Sequence, residues 1–234
     1  MPSRISALRT GRNGRMVTVE LDGKESVRLS AAAVSGLQPG QALSPEQVER
    51  LRRESRLEDS YARCLALLAR RPRSRTELER YLRGRKLSDA EREAVLERLV
   101  GRGWIDDGKF ARLWVENRQE FRPRSGRALR MELRRFGVPD DDIREALRDV
   151  DEAAAALSAA RKKAPRLTRT VGKGPQARIL FQRKMAAHLA SRGFDYDLSR
   201  ETALAVWTES LAALCDGESL ADPGEGGCSG GEYE

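Results

Sequence analysis

"RPRSGRALRMELRRFGV" occupies positions 122–138, and "RPRSRTELERYLRGRKL" occupies positions 71–87. Both begin Arg-Pro-Arg-Ser, at an offset of 51 residues, and both continue with Leu-x-x-x-Leu at the same distance (Leu78 and Leu82; Leu129 and Leu133). A catalytic signature is ordinarily written once, whereas a structural unit that stacks on its neighbours is written several times. The string also has a local reading. Proline stops one helix, and Ser74 or Ser125 caps the next. Glu77 stands where a capping box needs it.

Working outward, "YARCLALLARR" before the first string places Tyr61, Leu65 and Leu68 on one helical face. After it, Ser88 with Glu91 starts another helix that carries Val95, Leu96 and Leu99 and ends near Gly101 and Gly103. The cycle then restarts with Phe110 and Trp114, passes through Leu129, Leu133 and Phe136, and closes with Ile143, Ala146 and Leu147. Asp107 is expected to cap the helix that restarts the cycle. Leu82 to Leu96 and Leu133 to Leu147 are equal spacings. A third copy is visible in "DEAAAALSAARKKAPR", in "PQARILFQRKMAAHLASRGF", where Met185, Leu189 and Gly193 match Leu129, Leu133 and Gly137, and in "DLSRETALAVW". Its extra length fits an inserted loop near 167–174, in "LTRTVGKG". Ahead of the copies, "MVTVEL" and "SVRLS" flank Asp22-Gly23, a hairpin signal, and Ser44, Pro45 and Gln47 open a helix.

The fold class expected is therefore mainly α: tandem three-helix repeats behind a small N-terminal β-hairpin-containing module. The divisions are 1–59 for that module and its helix, 60–107, 108–150 and 151–215 for the repeats, and 216–234 for an acidic, Gly-rich tail expected to be disordered. An array of such repeats is expected to be elongated and curved.

Charge narrows the function. The chain has 234 residues, 44 Lys and Arg against 36 Asp and Glu, and a formal net charge of +8, which favours a polyanionic partner such as single- or double-stranded DNA. Ala153 to Phe194 holds ten bases and no acid, whereas Trp207 to Glu234 holds seven acids and no base. Candidate contacts to DNA or to an acidic protein surface are Arg71 and Arg73 at the first junction and Arg122 and Arg124 at the second. Arg127, Arg130 and Arg134 follow along one helix face. In the third copy the candidates are Lys162, Lys163, Arg166, Arg183 and Lys184. At the junctions the arginines flank a helix N-terminus, which itself attracts anions.

Chemistry is sparse. Three scattered cysteines and a single histidine, His188, form neither a disulfide framework nor a zinc or catalytic signature, and no phosphate loop is present. No cofactor and no enzymatic activity are expected. No apolar run is long enough to span a bilayer and no signal core is evident, so a cytoplasmic monomer away from membranes is expected.

The stretch 71–118, with Glu77 to Leu82, Leu96 to Gly103 and the restart Asp106 to Ala111, resembles the RecX family of regulatory proteins. The likeness is strong over 60–150 and fainter over 151–207. It implies tandem three-helix units that bind the RecA recombinase and its filament on DNA and inhibit its ATPase and strand exchange. A helix-turn-helix regulator and a nonspecific chromosome-binding protein are the rival readings. The outward positions of the second helices carry Arg rather than Asn or Gln, which suits phosphate contact better than base reading.

Overall fold

The computed structural model describes residues 2–12, 14–172 and 175–218. The expected hairpin is β2 (Met16–Leu21) and β3 (Glu25–Ser30). Its turn residues Asp22 and Gly23 both have positive φ, 51° and 67°, as a two-residue turn matched to strand twist requires. Two further strands complete an antiparallel sheet of order β3-β2-β1-β4: β1 (Ser3–Thr10) and the short β4 (Ala42–Leu43). A bulge between Ile5 and Ala7 breaks the alternation of β1, so its sequence gives no strand signal. Val17, Val19, Leu21, Val27 and Leu29 bury one face of the sheet against Val48 and Leu51.

Those two residues lie on α1 (Pro45–Leu68), whose capping box of Ser44 and Gln47 forms as expected. The boundary expected at 59/60 lies inside this helix. Nothing between Ser55 and Tyr61 breaks it, and its buried residues pass from Val48 and Leu51 under the sheet to Tyr61 and Cys64 in the first three-helix core. Then follow α2 (Arg75–Arg83), α3 (Asp89–Gly101), α4 (Asp107–Phe121), α5 (Gly126–Arg135), α6 (Asp140–Ala146), α7 (Glu152–Val171), α8 (Pro175–Ala190) and α9 (Tyr196–Glu218). The described residues form two compact units: 1–111 with 133–143, and 112–132 with 144 onward. In the first, Leu78, Leu82, Leu96 and Leu99 are fully buried. In the second, Phe181, Met185, Leu189 and Ala203 are, and Phe181 meets Trp207 with ring centroids 5.1 Å apart.

The loop expected near 167–174 is corrected by α7, which runs through Pro165 to Val171. Proline removes only one donor. Ala156, Ala160, Ala164 and Leu167 keep a continuous buried stripe on either side of it, so packing outweighs the lost bond. Thr168 Oγ1 and Arg169 Nε donate to the carbonyls of Ala164 and Pro165, at 2.8 and 3.1 Å. The helix ends at Gly172, and 173–174 lie outside the described residues, as does the tail from 219 onward.

The repeated serines make a joint within each unit. Ser74 Oγ accepts from the Glu77 N–H, as a cap should, and donates to the Phe136 carbonyl at 2.6 Å. Thr76 Oγ1 donates to the Gly137 carbonyl and Arg80 to the Arg135 carbonyl, so the end of α5 sits on the start of α2. The second unit repeats the device one copy later. Ser125 caps α5 through the Ala128 N–H, and its own N–H donates to the Arg192 carbonyl at the end of α8. Ser74 and Ser125 are 0% and 2% exposed. The third copy departs from the pattern: α8 begins six residues before the position that matches Ser125, and that position is the buried Phe181.

The turn that enters each joint is a glycine at positive φ, Gly137 at 74° and Gly193 at 91°. A Cβ at Gly137 would lie 2.2 Å from Thr76 Oγ1, and one at Gly193 would lie 2.6 Å from Ser125 Oγ. Gly137→Ala and Gly193→Ala are each expected to cost about 2–3 kcal/mol, from the strained φ and the clash together. Thermal or urea denaturation measures it. A loss below about 0.5 kcal/mol would mean the joints do not hold the copies together.

Candidate anion-binding surface

The first turn of a helix offers free N–H groups and a positive dipole end, the feature that would let α2 and α5 draw phosphate. At each start one of those N–H groups is already taken by a carboxylate of the protein itself. The Arg75 N–H donates to Asp107 Oδ1 at 2.9 Å, and the Gly126 N–H donates to Glu152 Oε1 at 2.6 Å. Each acid comes from the start of the helix that opens the following copy, α4 or α7. Asp107 is therefore not the cap of α4, as its sequence position suggested. Asp106 caps that helix through the Lys109 N–H. A carboxylate thus already takes one first-turn N–H at each helix start and offsets the positive dipole end there.

The candidate side chains divide into two groups. Arg71 is bound to Glu77 at 2.6 Å, and Arg73 lies 3.8 Å from the same carboxylate. Arg124 pairs with Glu132 at 3.1 Å, Arg134 with Asp140 at 2.9 Å, and Lys162 donates to the Glu120 carbonyl. Arg122, Arg127, Arg130, Arg166, Arg183 and Lys184 are exposed, with no side-chain hydrogen bond or ion pair among the described residues. Exposed ion pairs contribute only about 0–1 kcal/mol, so the Arg134–Asp140 pair, more than half exposed on both sides, is little obstacle to an incoming phosphate. Glu77 is only 12% exposed, which makes Arg71 and Arg73 the less available pair. On α5, Arg127 and Arg130 point to solvent while Leu129 and Leu133 are fully buried, as the spacing predicts.

The structure also brings together a cluster that the sequence did not announce. Arg192, at the end of α8, donates from Nη1 to the Pro123 carbonyl and from Nε to His188 Nε2, both at 3.0 Å. Burial, then the charges of Arg124 and Arg122, lower its proton affinity. Lys163 faces the same histidine. Spacing alone could not have joined Arg192 to Arg122, because only the serine joint folds them together. Glu132, shared by Trp114, Arg118 and Arg124, is the carboxylate that partly balances the group.

Burial pushes the Cys64 thiol up to about 11, so it stays protonated. Among the described residues no group of His, Cys, Asp and Glu is placed to hold a metal ion, and no helix is long and apolar enough to cross a membrane.

Three-helix copies with buried serine caps and outward arginines define a helical-repeat protein. Comparison with known proteins gives the particular family. Residues 61–99 match the model of the first three-helix domain of RecX, and residues 106–147 that of the second. The regulatory protein RecX of Prosthecochloris aestuarii is 41% identical over 140 residues, covering 60% of this chain and 88% of that protein. The RecX of Thermobifida fusca is 39% identical over 146 residues, covering 61% and 77%. A crystal structure of a regulatory protein RecX superposes with a TM-score of 0.62 at 22% identity, covering 84% of this chain and 96% of the other, and shows the shared fold. The chain belongs to the RecX family of regulatory, non-enzymatic proteins.

The folded-state pKa of His188 is depressed by burial, then by Arg192 and Lys163. Its stabilising contribution is full above the unfolded value near 6.5 and is lost as pH falls through the lower folded value. Melting temperature should fall on acidification through that window, and His188→Gln, which still accepts from Arg192 but does not titrate, should flatten the dependence. Asp107 is pushed up by burial, with Asp142 and Asp106 adding to it against the Arg75 N–H. Asp107→Asn keeps an acceptor and drops the repulsion, so stability at neutral pH is expected unchanged or raised. Asp107→Ala is expected to cost about 1 kcal/mol, as for a lost cap, by the same denaturation assay.

Proposed function

We propose that this chain binds the RecA recombinase and its nucleoprotein filament in the cytoplasm and inhibits the recombinase ATPase and strand exchange, acting as a monomer. Membership of the RecX family is the observation that carries the reading. The arrangement of charge supports it. Arg122, Arg127 and Arg130 are exposed and unpaired among the described residues, and guanidinium groups suit bidentate contact to phosphate. Their counterions are released on contact with DNA, single- or double-stranded, which gives affinity without sequence preference.

The test is the DNA-dependent ATPase of a RecA recombinase at fixed salt, with this protein titrated well below one per protomer. Strong inhibition is expected. Inhibition only when the DNA itself is saturated would replace the reading with that of a nonspecific DNA-binding protein. Arg122→Glu, Arg127→Glu and Arg130→Glu are each expected to weaken DNA binding uniformly across sequences and to lower the salt slope of log K by about 1. Unchanged slopes would remove these residues from the interface.

A further inference from the structure

A cleft of about 530 Å³ opens in the second unit between α4, the chain after α6 and the start of α7. Its floor is aliphatic: Val115 and Ala155 are buried at 6% and 5% exposure, and Val150 is half-buried beside them. Its rim is acidic. Glu116, Glu145, Asp149 and Asp151 line it, with Arg112 as the single base. Glu145 is paired with Arg148, and Asp151 caps α7 through the Ala153 and Ala154 N–H groups. Glu116 and Asp149 are exposed and have no hydrogen bond or ion pair among the described residues. Two unpaired carboxylates over an apolar floor are unusual on a chain whose net charge is +8.

Charge decides what this cleft accepts. DNA is a polyanion and is repelled by the rim. The chain's own segment from Trp207 to Glu234 carries seven acids and no base, and is repelled as well. The rim calls for a cation and the floor for an aliphatic side chain. We infer that the cleft is a docking site for a short segment of a partner protein that presents one or two aliphatic side chains beside Lys or Arg. This rests on the proposed function only in requiring a protein partner. It adds that partner and nucleic acid are met by separate surfaces of opposite charge.

A fluorescein-labelled amphipathic peptide of Lys and Leu is the direct probe, read by anisotropy against the full chain. The wild type is expected to bind it, with affinity about tenfold weaker in E116K/D149K, which reverses the rim, and in A154W, which fills the cleft without changing charge. Ala154 and both carboxylates are exposed, so the variants are expected to fold, and circular dichroism checks this. No binding by the wild type, or equal binding by all three, overturns the inference. Concentration-dependent self-association abolished by E116K/D149K would assign the cleft to a second copy and also overturn it. In parallel, the variants are expected to lose recombinase inhibition while their DNA affinity stays at or above that of the wild type. A wild type that fails to inhibit the recombinase sinks the proposed function and leaves the peptide result to decide the cleft.

Discussion

A buried serine hydroxyl that faces two helices at once is the constraint on which the array depends. Ser74 caps its own helix and also donates to the Phe136 carbonyl just past the end of α5. A buried hydroxyl without a partner is costly, and so is a buried carbonyl. Each therefore needs the other in one register. Ser125 shows the same economy with a change of atoms: its side chain caps α5 and its backbone N–H meets the end of α8. The glycine at each junction lets the incoming turn approach close enough for this, which any larger residue would prevent.

The electrostatics follow from these joints. Asp107 and Glu152 reach back to the first turns of α2 and α5, satisfying groups that would otherwise be an anion's natural landing place. The protein's positive potential is thereby carried on long, mobile side chains rather than on fixed helix ends. At the second joint burial, then Arg124 and Arg122, lower the proton affinity of Arg192, and Arg192 and Lys163 add to burial in lowering that of His188.

Much of the fold was legible in the chain. The capping boxes at Ser44, Ser74 and Ser88, the hairpin turn at Asp22-Gly23 and the leucine stripes of α2, α3 and α5 rest on local rules, and local rules can be read from local sequence. What escaped depends on contacts distant in sequence. β1 is held by pairing with β2, not by alternation of its own residues. Pro165 remains helical because tertiary packing outweighs one missing donor. The outward placement of Arg127 and Arg130 was legible from helical spacing, whereas Arg192 was not, since its neighbours at Pro123 and Arg124 lie 69 and 68 positions away. The acidic cleft was hidden for the same reason: its walls come from two separate stretches of chain, 112–119 and 145–158.

In the third copy, the place of the capping serine is taken by Phe181, sealed in the core against Trp207. A further copy arriving with its glycine turn would find an aromatic ring inside a helix instead of a hydroxyl at a helix start. A helix end that needs a hydroxyl to meet its last carbonyl finds no such donor at this position.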